Sequence, residues 1–229
     1  MISDNISLDS PQAKDAFPSI QPSHLALRVL ETLEKWLPFF QKEYIQVPLS
    51  KKEDDISLEL CSFLNEKSSF FIEFAPQKGV DFRIHVKPRI MWAKPFFVIE
   101  AKRLPTTHRK KEYVEGDRGG IERFKREQEG FDQSLPISAI VGYIQKHDFA
   151  HWFKEINLWI EALIKQNDTT MDIRWTEQDK LEKAPSHSEQ LGRYISIHSR
   201  KTLQDIKLHH FWLMMYSPKA TPNLSASPQ

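Results

Sequence analysis

At 229 residues, with 40% hydrophobic and 11% aromatic side chains, the chain is long enough for one well-filled core and too short for several large domains. Its 32 basic and 31 acidic residues leave a formal charge of +1, which excludes a global field drawing it to DNA or to a membrane. The single cysteine, Cys61, excludes an intramolecular disulfide and a cysteine-based zinc site, and is consistent with a reducing, cytoplasmic setting.

The first 22 residues are rich in Ser, Asp and Pro and read as a flexible leader without the apolar stretch of a signal peptide. A single domain is expected over 23–216, with a core at about 50–165 and a C-terminal α/β extension at 166–216. The tail 217–229 reads as disordered. Leucines and Trp36 at helical spacing predict a helix over His24–Lys42, ended or bent at Pro38. A second helix is expected over Ser50–Asn65, with Ser50 as N-cap, Glu53 completing a capping box and Cys61 buried. Strands follow at Phe70–Phe74, Val80–Val86 and Phe96–Lys102, the first two joined by the turn signal Ala75-Pro76-Gln77-Lys78-Gly79. After a basic stretch over 103–118 come a helix at Gly120–Gln128, a strand at Ile137–Ile144 and an amphipathic helix at Phe149–Lys165. A strand at Met171–Trp175, a polar loop over 176–192 and strands at Tyr194–His198 and Lys207–Met214 complete the chain. This order predicts an α/β domain with a mixed central sheet flanked by helices. Apolar runs such as Phe211–Tyr216 fall far below the roughly 20 residues of a membrane span.

The chemistry concentrates in residues 79–104. Asp81 opens one predicted strand, and Glu100 and Lys102 close the next. Alternation places Glu100 and Lys102 on one face with Phe96 and Val98, and Phe97, Ile99 and Ala101 on the other. Two charges at the end of so apolar a strand need a reason, because buried unpaired charge is costly. Phosphodiester hydrolysis supplies one. Two carboxylates, Asp81 and Glu100, with the Ala101 carbonyl can hold Mg²⁺, with Mn²⁺ as a substitute. Lys102 on the same face can orient or help deprotonate the nucleophile and stabilise the developing charge.

Asp81 followed by Glu100-Ala101-Lys102 resembles the PD-(D/E)xK nuclease superfamily, over about residues 50–145. Val80 stands where that family often has proline. The resemblance implies a restriction-endonuclease-like core, a Mg²⁺-dependent nuclease activity with DNA favoured over RNA, and a place in bacterial anti-phage defence. It also implies a further acid from the preceding helix, for which Glu53 is favoured over Glu59, with Glu73 on the first strand as a third candidate. The stretch from Tyr113 to Phe131 and the strand through Tyr143 are similar to the helix and fourth strand of such defence nucleases.

Residues 101–126 hold nine basic and four acidic side chains, a local excess in a nearly neutral chain. Arg103, Arg118, Arg123 and Arg126 are therefore candidates for phosphate binding, with Gly119 and Gly120 allowing close backbone approach. His147 and His151 have zinc-ligand spacing but no third partner, and read as solvent contacts. The aromatic stripe from Trp152 to Leu163 reads as core. His209 and His210 alternate across their strand, which reads as packing or surface; the segment from His209 to Tyr216 is the best candidate for a dimer or partner strand. A non-catalytic nucleic-acid- or partner-binding subunit that keeps the nuclease fold is the alternative function.

Overall fold

The computed structural model describes residues 22–46, 52–87, 94–104, 110–116, 119–128, 130, 136–166 and 173–216. The expectations for the leader, the tail, Ser50 and Arg118 lie outside these residues. Helix α1 (Pro22–Gln46) buries Val29, Leu30, Leu33, Leu37 and Phe40 along one stripe. It runs through Pro38 instead of ending there. Proline removes one helical hydrogen bond, but Leu37 and Phe40 on either side are anchored in the core, and that burial offsets the loss.

Helix α2 (Glu53–Lys67) starts later than the capping-box reading requires. Lys52 is its N-cap, no side chain caps it, and Glu53 is its first residue. Glu53, Asp54 and Asp55 still place negative charge at the positive end of the helix. Strands β1 (Phe70–Phe74) and β2 (Phe82–Val86) are antiparallel neighbours. They are joined by a 3-10 turn, Pro76–Lys78, closed by Gly79 at a φ of 91°, a conformation that favours glycine.

Strand β3 (Phe97–Leu104) is central and buried along nearly its whole length. A 3-10 turn at Lys110–Tyr113 and the short helix α3 (Gly120–Arg126) lead to β4 (Ile137–Ile144), parallel to β3. Helix α4 (Phe149–Lys165) is capped by Asp148, whose carboxylate accepts the His151 N–H at 2.8 Å. His147 and His151 stack ring on ring, with centroids 4.0 Å apart.

The region expected to hold a strand at Met171–Trp175 has none in its described part; Ile173 and Trp175 instead insert as side chains into the core. The polar loop carries a 3-10 turn, Glu177–Asp179, and the two-residue strand β5 (Glu182–Lys183). Strands β6 (Leu191–His198) and β7 (Ile206–Met214) follow.

The sheet order is β1-β2-β3-β4-β7-β6-β5, with β3, β4 and β7 mutually parallel in the middle and every other pair antiparallel. The C-terminal strands thus extend the same sheet. β7 hydrogen-bonds to β4 on one side and β6 on the other, so the expected partner strand has no free edge to offer.

Alternation divides the core into two layers. Phe97, Ile99 and Ala101 face α1 and α2, whereas Val98 and Leu104 face the side carrying α3 and α4. Phe96 departs from the expected face: it precedes the strand and packs with the α1–α2 layer, its ring 5.6 Å from Phe70. Among the described residues no helix is long and apolar enough to cross a membrane.

Gly142 lies in register between Lys102 of β3 and Trp212 of β7. A Cβ there would stand 2.5 Å from Trp212 Cδ1. Gly142→Ala should therefore displace the indole and lower stability by about 1–3 kcal/mol. Urea unfolding measures this; an unchanged midpoint would show that the indole has room to move.

Candidate active site

The site forms where β2 parts from β3. Their paired register ends at Phe82 opposite Ile99. Beyond that point two alternate amides of β3 lie on the edge that β2 has left. Each is taken by a carboxylate: Ala101 N–H donates to Asp81 Oδ2 at 2.7 Å, and Arg103 N–H donates to Glu53 Oε2 at 2.6 Å. The ladder is completed by side chains, as a buried backbone donor requires. This contact explains why Glu53 forms no capping box: its carboxylate crosses to β3.

Glu100 is completely buried and projects into the α3–α4 layer with Lys102. Its Oε1 receives Lys102 Nζ at 2.6 Å and Arg123 Nη1 at 2.9 Å. Its Oε2 is buried with no N–H or O–H partner among the described residues, and the Asp81 carboxyl lies within hydrogen-bonding reach of Glu100. Lys102 also lies 3.8 Å from Glu53 Oε1. Burial first, and the Glu100 carboxylate second, push the Asp81 acid up to about 7, against the pull of Lys102 and the Ala101 amide. Burial likewise raises Glu53, opposed by Lys102. For Lys102, burial works to lower the pKa, but Glu100, Glu53 and Asp81 outweigh it and hold it above the usual lysine range.

Asp81, Glu100, Lys102, the Ala101 main chain and Glu53 are therefore brought together. Glu59 is not: it is exposed and lines a groove between α1 and α2 with Glu43 and Glu66. Glu73 is engaged by Lys78 at 2.7 Å and by His85 at 3.4 Å.

The described charges of the basic segment are paired, some in the interior and some at the surface. Arg123 donates to Glu100, to the Gly79 carbonyl and to Gln128. Arg126 pairs with Glu122 at 2.6 Å and Lys111 with Glu115 at 2.8 Å. Lys125 is buried on Asp179 at 2.6 Å. Arg103 contributes its backbone N–H. Both glycines sit in close packing: a Cβ on Gly119 would meet the Glu115 carbonyl carbon at 2.4 Å, and one on Gly120 would meet Lys102 Cγ at 3.2 Å.

Mg²⁺, the ion implied by the resemblance, has a partial fit. The donors are hard oxygens, and Glu100 Oε2 is a buried lone-pair site with Asp81 as its acidic neighbour. Among the described residues no group of three His, Cys, Asp or Glu side chains is placed to hold a metal.

Sequence reading missed a second polar cluster, built from Tyr113, Lys125, Asp179, Ser196, His198 and His210. Its only trace in the sequence is the alternation of Ser196 and His198. No family model, curated protein or solved structure matches the chain.

Two buried carboxylates side by side are a source of instability that an ordinary core lacks. Asp81→Asn keeps an oxygen for the Ala101 amide and removes one of the charges. In chelator at pH 8 it should raise the melting temperature by several degrees, at about 2–4 °C per kcal/mol for a chain of this size. A lowered melting temperature would mean that the Asp81 charge is structurally required.

Proposed function

We propose that the chain is a metal-dependent nuclease of the PD-(D/E)xK kind, with a restriction-endonuclease-like core. One observation carries this reading. Asp81, Glu100, Lys102 and Glu53 meet at one strand end, and the two buried carboxyls of Asp81 and Glu100 lie against each other with no amine or amide donor on Glu100 Oε2 among the described residues.

Asp81 and Glu100, with the Ala101 carbonyl, would hold Mg²⁺ or Mn²⁺. That ion supplies a Lewis acid for the phosphate and lowers the pKa of a bound water. Lys102 brings an ammonium to the same face, where it orients the attacking water and stabilises charge on the phosphate oxygens. Glu53, anchored on the Arg103 amide, steers that water from the opposite side of Lys102. Arg123 holds Glu100 Oε1 so that Oε2 is the oxygen left for the cation. By resemblance the substrate is DNA ahead of RNA, and the setting is bacterial anti-phage defence in the cytoplasm.

A second reading, a non-catalytic binding subunit on the same fold, is favoured by a different observation. Glu100 already carries two cationic partners, Lys102 and Arg123, as a purely structural carboxylate would.

The two readings separate in one assay. Purified protein with Mg²⁺ or Mn²⁺ should cleave plasmid DNA or RNA, and lose cleavage in EDTA. Asp81→Ala, Glu100→Ala and Lys102→Ala should each reduce the rate at least 100-fold with the circular dichroism spectrum retained. Glu53→Gln should slow cleavage sharply and Glu59→Gln should leave it unchanged. Absence of cleavage with every nucleic acid and metal would favour the binding subunit.

A further inference from the structure

The second polar cluster is a continuous chain of hydrogen bonds. Trp212 Nε1–H donates to the Tyr113 hydroxyl at 2.8 Å, and that hydroxyl meets His210 Nδ1 at 2.8 Å. His210 Nε2 lies 2.7 Å from Ser196 Oγ, which in turn lies 2.6 Å from His198 Nε2. His198 Nδ1 is 2.5 Å from Asp179 Oδ1, the oxygen that also accepts Lys125 Nζ at 2.6 Å. The second Asp179 oxygen accepts Thr176 N–H at 2.6 Å and its hydroxyl at 3.2 Å.

Counting protons fixes the direction. Asp179 accepts only, so His198 Nδ1 carries hydrogen and, in the neutral ring, its Nε2 does not. Ser196 therefore donates to His198, and His210 Nε2 donates to Ser196. His210 Nδ1 is then an acceptor and takes the Tyr113 proton, while Tyr113 takes the Trp212 proton. With both imidazoles neutral, every donor in the chain has an acceptor. Burial, the main influence on both, holds His198 below and His210 well below the ordinary histidine value.

Asp179, His198 and Ser196 have the connectivity of a hydrolytic triad. Their burial rules out that role: Asp179 and His198 have no exposed surface and Ser196 has 2%. The Ser196 oxygen is also shared with His210.

What the chain touches at its ends is the informative point. Lys125, at one end, belongs to α3. Tyr113, near the other, belongs to the turn before α3, and its carbonyl oxygen backs Gly120, where a Cβ would stand 3.0 Å away. The network therefore grips a seven-residue helix at both ends. Glu127, just past that helix, adds a third hold by accepting Thr202 N–H and Leu203 N–H, each at 2.6 Å. The helix in turn presents Arg123 to Glu100 and Gly120 to the Lys102 stem.

We propose that Asp179, His198, Ser196 and His210 are positioning residues for the site at the end of β3, acting through α3 and its Arg123. The active-site meaning of this inference rests on the nuclease reading; the mechanical meaning does not. Ser196 breaks the chain at its midpoint with the smallest change in volume, and threonine there restores the hydroxyl.

Amide hydrogen exchange on the full chain, read by mass spectrometry, tests the mechanics without substrate or metal. Ser196→Ala should speed exchange at 121–126 at least tenfold while β4 (137–144) keeps its protection, and Ser196→Thr should restore protection. Unchanged exchange in α3, or an equal loss in α3 and β4, would overturn the proposal. Asp179→Asn strands the Lys125 charge, so the double variant with Lys125→Met is the companion that stays folded; it should loosen α3 in the same selective way, and a fully protected α3 there would also overturn it. If wild type cleaves nucleic acid, Ser196→Ala should lower kcat several-fold at unchanged KM, and a raised KM alone would refute the link to chemistry. If wild type never cleaves, the nuclease reading fails, and the exchange result alone decides the positioning claim.

Discussion

The molecule is organised around the place where β2 stops pairing with β3 after Ile99. A central strand stripped of one neighbour leaves buried amides that must be satisfied. Here Asp81 and Glu53 satisfy them, so the same contacts that repair the sheet also collect carboxylates at its open end. Glu100 and Lys102 project from that stretch of strand by alternation alone. The site is thus a consequence of the sheet's geometry, and every group in it is fixed by a backbone contact or an ion pair.

Charge explains the next layer. A local excess of basic residues in a nearly neutral chain suggests a surface for phosphate. In the folded protein the described members of that excess are largely occupied with Glu100, Glu115, Glu122 and Asp179. Sequence counts charges but does not say which way they face. The pairs on Glu100 and Asp179 are buried and costly to desolvate, and breaking one leaves its partner stranded, at roughly 3–5 kcal/mol, whereas Lys111–Glu115 and Arg126–Glu122 are surface pairs worth about 0–1 kcal/mol. Lys102 and Arg123 thus clamp Glu100, and Lys125 ties α3 to Asp179.

Much of the fold was legible in the sequence where local pattern and local structure agree. Phe70–Phe74, Ile137–Ile144 and Phe149–Lys165 form the expected elements at the expected boundaries, since clean periodicity ends at clear turn or cap residues. The helix through Pro38 was not legible, because packing of Leu37 and Phe40 overrides a local breaker. Nor was the interior place of β7, which depends on its pairing with β4, 70 residues earlier in the chain. Alternation puts Glu100 and Lys102 on one face, and the preference for Glu53 over Glu59 follows from its place in the first turn of its helix; that its carboxylate takes the Arg103 amide needed the fold. The buried histidine chain was hidden for a similar reason: its members come from two strands and two turns, joined only by register.

The two buried polar clusters differ in one respect that bears on function. In the chain from Trp212 to Asp179 each donor finds an acceptor, and the result is a closed, stiff support. At the end of β3 the account closes only through a proton: among the described residues Glu100 Oε2 has no N–H or O–H partner, and the Asp81 carboxyl pressed against Glu100 is pushed up to about 7. Interiors tolerate such an arrangement only where surrounding structure holds it in place. α3 joins the two clusters, with Lys125 in the closed one and Arg123 in the other. The neutral, fully paired network thereby braces a cluster in which two carboxyls share the charge of Lys102 and Arg123.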